Sequence, residues 1–352
     1  MTVTDNAHAS AQPAQDNLDR EALDSDAGRD AGGPHLSLAA LEDAVRSAHG
    51  RYRDLAEGEN FPHPVLARVP AHYFGIALSP VGGEAVVTAG DARTAFAIQS
   101  VAKVATLALV LQESGADVLE DAIGAEATGR VFNSIEAIEA LEGRGQNPMV
   151  TPGAIAAVGL VKGGDLEEIW TKILEMQSAF AGRPLRLNEE VYAASSQVNQ
   201  RNRAIGALMS AYGRFPGDPA AITDVYTRQC AIEVTTVDLG IMAGTLAAGG
   251  RNPLTQCQVV DERHIPEILA IMATAGLYDR SGHWLFRTGL PAKSGVGGGM
   301  IAVAPGKFGI AAYSPPLDAA GNSVRGQRAI ADISAALSGN PYSGGSSMVV
   351  AP

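Results

Sequence analysis

Two apolar periodicities alternate along the chain. LSLAALEDAVRSAHGRYRDL, from Leu36, repeats apolar residues at helical spacing behind a Ser/His start and predicts an amphipathic helix. GENFPHP then reads as a loop, and HYFGIALSPVGGEAVVTAGD as two strands forming an antiparallel hairpin that turns at Gly82-Gly83. The stretch TAFAIQSVAKVATLALVL, Thr94 to Leu111, predicts a helix beginning near Gln99. It is apolar nearly all round, which marks it as buried.

From about Ser114 to Gly250 helical patterns dominate. Pro152 to Val161 is apolar and small, Leu166 to Phe180 is amphipathic around Trp170, and Val191 to Tyr212 predicts one long helix. Ala220 to Gln229 leads into VTTVDLGIMAGTLAAGG, which closes on two C-capping glycines. Strand character returns after a helix at Glu262 to Ala275. LPAKSGVGGGMIAVAPGKFGIAAYSPP predicts adjacent strands turning at the glycines and at Pro305-Gly306, and a last helix runs from Ser323 to Leu337. Strands near both chain ends with helices between predict an α/β (α+β) domain: one antiparallel sheet built from both ends and flanked by helices, with a mostly helical subregion over 114–250. The domain is expected to span 36–337, between a disordered acidic leader at 1–35 and a flexible Gly/Ser-rich tail at 338–352.

Charge narrows the partners. The 352 residues carry a formal net charge of −12, which argues against nucleic acid or an anionic membrane surface. Part of that charge is in the leader, where Asp5, Asp16, Asp19, Glu21, Asp24, Asp26 and Asp30 outnumber Arg20 and Arg29. No stretch has the form of a signal peptide or the length of a bilayer span, so a cytosolic location is expected. Cys230 and Cys257 are the only cysteines and match no zinc or disulfide framework. The seven histidines show no metal-ligand spacing and are expected at scattered surface positions.

The candidate chemistry lies in the buried helix. Ser100 and Lys103 stand at i and i+3, one turn apart on one face. A lysine among apolar neighbours loses basicity and can take the serine proton, and the helix N-terminus favours a developing oxyanion. Ser-x-x-Lys alone is a weak signal, most often a cap followed by a surface lysine. Here Lys293-Ser294-Gly295 on a predicted strand and Tyr226 in the helical block accompany it, in the order seen in the penicillin-recognising serine hydrolases.

Longer motifs are more specific. GRVFNSIEAIE, QNPMV, RNRAIG, CAIEVT, LAAGG, GLYDRSGHW, GLPAKSGVGGG and SPPLDAAGNSVRG closely resemble the serine-dependent glutaminases, which share the β-lactamase-like fold, over about Leu38 to Gly326. The resemblance implies hydrolysis of the L-glutamine carboxamide to L-glutamate and ammonia through an acyl-enzyme on Ser100, without metal or organic cofactor. It implies Lys103 as base, Tyr226 and Tyr278 as tyrosines beside the reacting groups, Val296 and Ser100 backbone N–H groups as the oxyanion hole, and Asn202 as a substrate contact. A homodimer or homotetramer is implied too.

Three recognition positions depart from the family. Its Tyr-Ile-Pro reads Pro62-His63-Pro64, leaving Phe61 or a shifted loop to stand in for the tyrosine; Thr151 replaces a substrate-binding asparagine; and Ser195 replaces the glutamate that pairs with the substrate ammonium. Losing such a charge-assisted contact costs roughly 1.5–3 kcal/mol, or about one to two decades of affinity. Glu189, Glu190 or a neighbouring subunit are the other sources of that charge. The alternative expectation is the same mechanism on a related primary amide whose α-amino group is absent or modified. Penicillin-binding or β-lactamase activity fits poorly with the cytosolic expectation. A retired binding homologue would not need Ser100, Lys103, Tyr226, Tyr278 and the KSGVGGG loop together.

Overall fold

The computed structural model describes residues 37–82 and 85–343. The expected acidic leader lies outside the described residues, as do Gly83 of the expected turn and the tail beyond Ser343.

Ser37 accepts a hydrogen bond from Ala40 N and starts α1 (Leu38–Tyr52), which buries Leu41, Val45 and Ala48. β1 (Gly75–Pro80) and β2 (Val87–Gly90) pair antiparallel, with Gly75 opposite Gly90 and Leu78 opposite Val87, as the hairpin pattern predicts. β3 (Phe96–Ala97) leads into a 3₁₀ turn at Gln99–Ala102 and then α2 (Lys103–Ser114). The helical block comprises α3 (Ala116–Ala122), α4 (Ile135–Ala140), α5 (Thr151–Leu160), α6 (Leu166–Ala181), and, after β4 (Arg186–Leu187), α7 (Glu189–Gln197), α8 (Gln200–Ala211) and α9 (Pro219–Cys230). β5 (Ile232–Val234) separates it from α10 (Thr236–Ala247), followed by α11 (Ile265–Ala275) and α12 (Ser281–Thr288). β6 (Ala292–Ser294), β7 (Gly299–Ala304), β8 (Phe308–Tyr313) and α13 (Val324–Ala336) complete the described chain.

The main sheet has the order β2-β1-β8-β7-β6, and every neighbouring pair is antiparallel. Both chain ends build it, as the strand pattern predicts. α1 and α13 cover one face, where Ile76, Leu78, Met300, Ile310 and Ile330 form a continuous core. α10 covers the other, and its capping box, Thr235 with Asp238, fixes its start. Its approach is close because small residues meet there: a Cβ on Gly309 would lie 2.0 Å from Gly244 N, and one on Gly244 would lie 2.6 Å from Ser79 Oγ. The helical block packs beyond α10 and surrounds α2, whose residues from Lys103 to Leu111 are all buried. Among the described residues no helix is long and apolar enough to cross a membrane.

Two elements differ from the sequence expectation. A second sheet, β3-β5-β4, is made of strands two or three residues long, below the length at which alternation is visible. The long helix expected over Val191 to Tyr212 is two helices. It breaks at Val198 and Asn199, where Asn199 donates its side-chain amide to Thr227 Oγ1 at 2.7 Å instead of exposing it on a helix face.

Candidate active site

Ser100 is placed by the small sheet. β3 pairs with β5, the Ile98 N–H donates to Ile232 O at 2.8 Å, and the chain turns sharply at Gln99, whose φ of 52° lies in the left-handed region. A non-glycine residue held there costs on the order of 1–3 kcal/mol, and such strain collects at functional sites. The turn continues as one 3₁₀ turn rather than the α-helix expected from Gln99, and the i and i+3 side chains of Ser100 and Lys103 lie on the same side. Neighbouring helices brace this turn: Gln177 of α6 donates to Ala102 O at 2.6 Å, and Thr106 donates to Gln229 of α9 at 2.6 Å.

Lys103 is 1% exposed, and Nζ donates to Met149 O at 3.3 Å. Burial lowers its pKa to about 8, so a useful fraction of the amine is neutral near neutral pH and can accept a proton. A second lysine, Lys293, is fully buried nearby. Its Nζ donates to Gly276 O at 3.0 Å and Ser294 O at 2.5 Å and stands 4.3 Å from the centre of the Tyr278 ring. Burial, and then the charge of Lys103, hold Lys293 well below the ordinary lysine range.

Two tyrosines close the cluster. Tyr278 sits at φ 58°, donates to Ser294 O at 3.2 Å, and has the Ser100 hydroxyl beside its phenol; burial pushes its pKa up to about 12. Tyr226 is 4% exposed, its ring centre 5.8 Å from Lys103 Nζ. Burial raises it well above the usual value, and the Thr151 side chain and the Cys230 thiol adjoin its hydroxyl. Cys230 is half-buried as a residue, but its thiol faces this cluster: burial raises it while Lys103 opposes the rise.

The strand β6 brings its glycine-rich extension against the serine. A Cβ on Gly295 would lie 3.0 Å from Ile98 O and 3.2 Å from Ser100 N, so a larger residue would push the two backbones apart. Ser294 Oγ donates to Asn322 Oδ1 at 2.5 Å, fixing the loop from behind. Val296 follows, half-exposed, and its side chain and the Tyr278 ring both border Gly321. Ser100, Lys103, Thr151, Tyr226, Tyr278 and Val296 therefore lie together in one cluster.

Ser195 lies on α7 and Asn202 on α8. Asn202 donates to Asn199 Oδ1 at 2.7 Å, and Asn199 in turn to Thr227, the residue after Tyr226. Ser195 Oγ meets His63 Nε2 at 3.1 Å. Pro62 is exposed and His63 points inward, so two of the three altered positions touch each other. Glu190 pairs with Arg68 at 2.8 Å on the surface, with both side chains mostly exposed. The expectation of surface histidines fails at His63 and His264, which are 8% and 6% exposed. His63 is held by its loop, and His264 by Glu267 at 2.8 Å. His63, Asn199, Gln177 and Cys230 are site neighbours that spacing alone did not single out; only Cys230, four residues after Tyr226 on one helix face, carried a local signal. Among the described residues no group of three or more His, Cys, Asp or Glu side chains could hold a metal ion.

Comparison with known proteins agrees with this geometry. A glutaminase family model matches residues 62–342. The chain is 47% identical over 308 residues to a glutaminase of Bordetella avium (strain 197N), covering 87% of this chain and 98% of that one. It is 44% identical over 310 residues to glutaminase 1 of Escherichia coli (strain K12), covering 88% and 100%. Its structure is similar to that of a probable glutaminase, with 43% identity, a TM-score of 0.86, and 88% and 100% of the chains covered. A crystal structure of Mglu in its glutamate form matches with 32% identity, a TM-score of 0.81, and 87% and 70% coverage.

Proposed function

The chain belongs to the glutaminase family, and from that membership we infer that it hydrolyses the side-chain carboxamide of L-glutamine to L-glutamate and ammonia, with Ser100 as nucleophile. The observation that carries the assignment of roles is the dry Lys103 amine, its pKa lowered to about 8, one turn after a serine on a strained turn.

In this mechanism neutral Lys103 removes the Ser100 proton as Oγ bonds to the carboxamide carbon. The carbonyl oxygen takes the negative charge between the backbone N–H groups of Ser100 and Val296. The C–N bond breaks as the nitrogen receives the proton through Lys103 and the adjoining tyrosine hydroxyls, and ammonia leaves. Water then adds to the acyl carbon, giving up its proton along the same route, and the Ser100 Oγ–acyl bond breaks to release glutamate. Tyr278, pushed up to about 12, stays protonated throughout and can donate. Thr151 and Asn202 are assigned to substrate contact, Thr151 through its place beside Tyr226.

Ammonia release from L-glutamine by the purified protein, lost in Ser100→Ala, tests the reading. No release from glutamine, or release that survives Ser100→Ala, would overturn it. Assembly into a homodimer or homotetramer and a cytosolic location belong to the same proposal. Light scattering and cell fractionation check them.

A further inference from the structure

We propose that Asp318 is a positioning residue for acyl transfer: its carboxylate sets the 318–322 turn, and that turn holds the Val296 loop and Tyr278 against Ser100. The proposal rests on the glutaminase reading and adds to it the support behind the oxyanion side of the site.

The turn is organised around one side chain. Asp318 Oδ1 accepts the backbone N–H groups of Ala320 at 2.9 Å and Asn322 at 3.0 Å, and Oδ2 accepts from Gln327 Nε2 of α13 at 2.9 Å. A carboxylate that folds back on its own backbone in this way closes a tight turn. Two backbone bonds complete it, from Gly321 N to Asp318 O at 3.0 Å and from Asp318 N to Asn322 O at 2.9 Å. The ends of the turn are held without the carboxylate. Leu317 exchanges two backbone bonds with Glu59, and Ser323 caps α13. Removing the Asp318 acceptor therefore frees the tip of the turn and leaves its ends in place.

The tip faces the reacting groups. Asn322 is fully buried, and its Oδ1 accepts from Ser294 Oγ at 2.5 Å. Its Nδ2 has no partner, so among the described residues this bond is the one link that the Asn322 side chain makes. Ser294 joins both elements of the site: its carbonyl accepts from the Tyr278 hydroxyl at 3.2 Å, and the chain runs on from it through Gly295 to Val296. Gly321 touches the same two elements. A Cβ there would reach Val296 Cγ1 at 3.6 Å and Tyr278 Cε2 at 3.8 Å, and its φ of 91° favours glycine. The Val296 N–H and the Tyr278 hydroxyl act on charge and protons that develop only during the reaction. A misplacement of about 1 Å in such groups can cost about a hundredfold in rate. Loosening the tip is therefore read in kcat rather than in KM.

The test measures steady-state ammonia release from L-glutamine by wild type, Asp318→Ala, Asp318→Asn and Gln327→Leu, with melting temperatures alongside. Asp318→Ala is expected to lower kcat about tenfold while KM stays within about twofold. Asp318→Asn keeps an oxygen for both backbone N–H groups and should bring kcat back to within about threefold of wild type. Gln327→Leu removes only the outer tether and should lower kcat about threefold, again without a matching change in KM. Unchanged kcat in Asp318→Ala, an equal loss in Asp318→Asn, or a loss expressed in KM would overturn the proposal. Where Asp318→Ala does not fold, Gln327→Leu decides by the same split between kcat and KM. Failure of the glutaminase reading shows separately, as no ammonia from L-glutamine in wild type. Positioning is then judged by the rate at which a fluorophosphonate probe labels Ser100, followed by peptide mass mapping. Slower labelling in Asp318→Ala that Asp318→Asn restores supports the proposal, and equal rates, or no labelling of wild type, overturn it.

Discussion

The Gln177 side-chain amide donates to the Ala102 carbonyl at 2.6 Å, reaching from α6 into the first turn of the helix that carries Lys103. Gln177 is 1% exposed and Ala102 is fully buried, so no water replaces the donor if it is removed. Leaving a buried carbonyl unpaired costs about 1–3 kcal/mol. Gln177→Leu should therefore lower the melting temperature by several degrees, and, because that carbonyl fixes the turn between Ser100 and Lys103, lower kcat more than it raises KM. Thermal unfolding and steady-state ammonia release check both; an unchanged kcat with a lowered melting temperature would confine Gln177 to stability.

The pH dependence follows from Lys103. Its pKa is lowered to about 8, and the reaction needs the neutral amine, so kcat/KM should rise with pH and level off above about 8. An activity profile from pH 6 to 9.5 measures this. A profile that falls over that range would assign the base to another group.

The same shift makes a stability prediction in a higher pH window. The folded value lies below the unfolded 10.5, so between about 8 and 10.5 the unfolded chain holds the extra proton. Stability from this group accordingly rises with pH across that window and is at its lowest below about 8. The burden at neutral pH is on the order of 3 kcal/mol. Lys103→Met keeps the apolar volume and removes the charge, so it should abolish ammonia release and raise the melting temperature at pH 7 by several degrees, with the gain shrinking toward pH 10. Melting curves of both proteins across that range test the sign.

Sheet and helix packing supply a fourth expectation. A Cβ on Gly309 would meet Gly244 N at 2.0 Å and the Ala243 carbonyl carbon at 2.1 Å, both backbone atoms that cannot swing aside. Gly309→Ala must separate β8 from α10, and overpacking of this kind costs about 1–3 kcal/mol or more. A lower urea midpoint with little change in KM is expected. An unaffected midpoint would mean that the two backbones separate without cost.

These cases separate what the residue pattern showed from what it hid. α6 was legible because its amphipathic spacing around Trp170 is local; the structure bounds it with Asp165, which accepts from Glu168 N, and with Gly182 in the left-handed region. The sheet strands were legible because β1, β7 and β8 are each six residues long and meet at glycine turns such as Gly306. The break at Asn199 was hidden because its partner, Thr227, lies on another helix. β3 and β5 were hidden by their brevity. The Ser100 and Lys103 pair was visible as spacing, Tyr226 through its place in the helical block between that pair and Lys293-Ser294-Gly295, and Tyr278 through the motif GLYDRSGHW. The contact of His63 with Ser195 spans 132 residues, so its existence is a product of folding that no local pattern encodes.

Cysteine chemistry gives a last, inexpensive check on the site. Cys257 is exposed, whereas burial raises the Cys230 thiol, and the thiolate is the reactive form. Iodoacetamide at pH 7.5 should therefore label Cys257 first and leave ammonia release intact, since Cys257 lies outside the cluster around Lys103. Prolonged treatment that reaches Cys230 would place a carboxamidomethyl group against the Tyr226 hydroxyl and Lys103, and activity should fall in step with that second modification. Peptide mass mapping of both sites against residual activity follows the two phases. Full loss of activity with only Cys257 modified, or full activity with Cys230 modified, would contradict the placement of the Cys230 thiol beside the reacting groups.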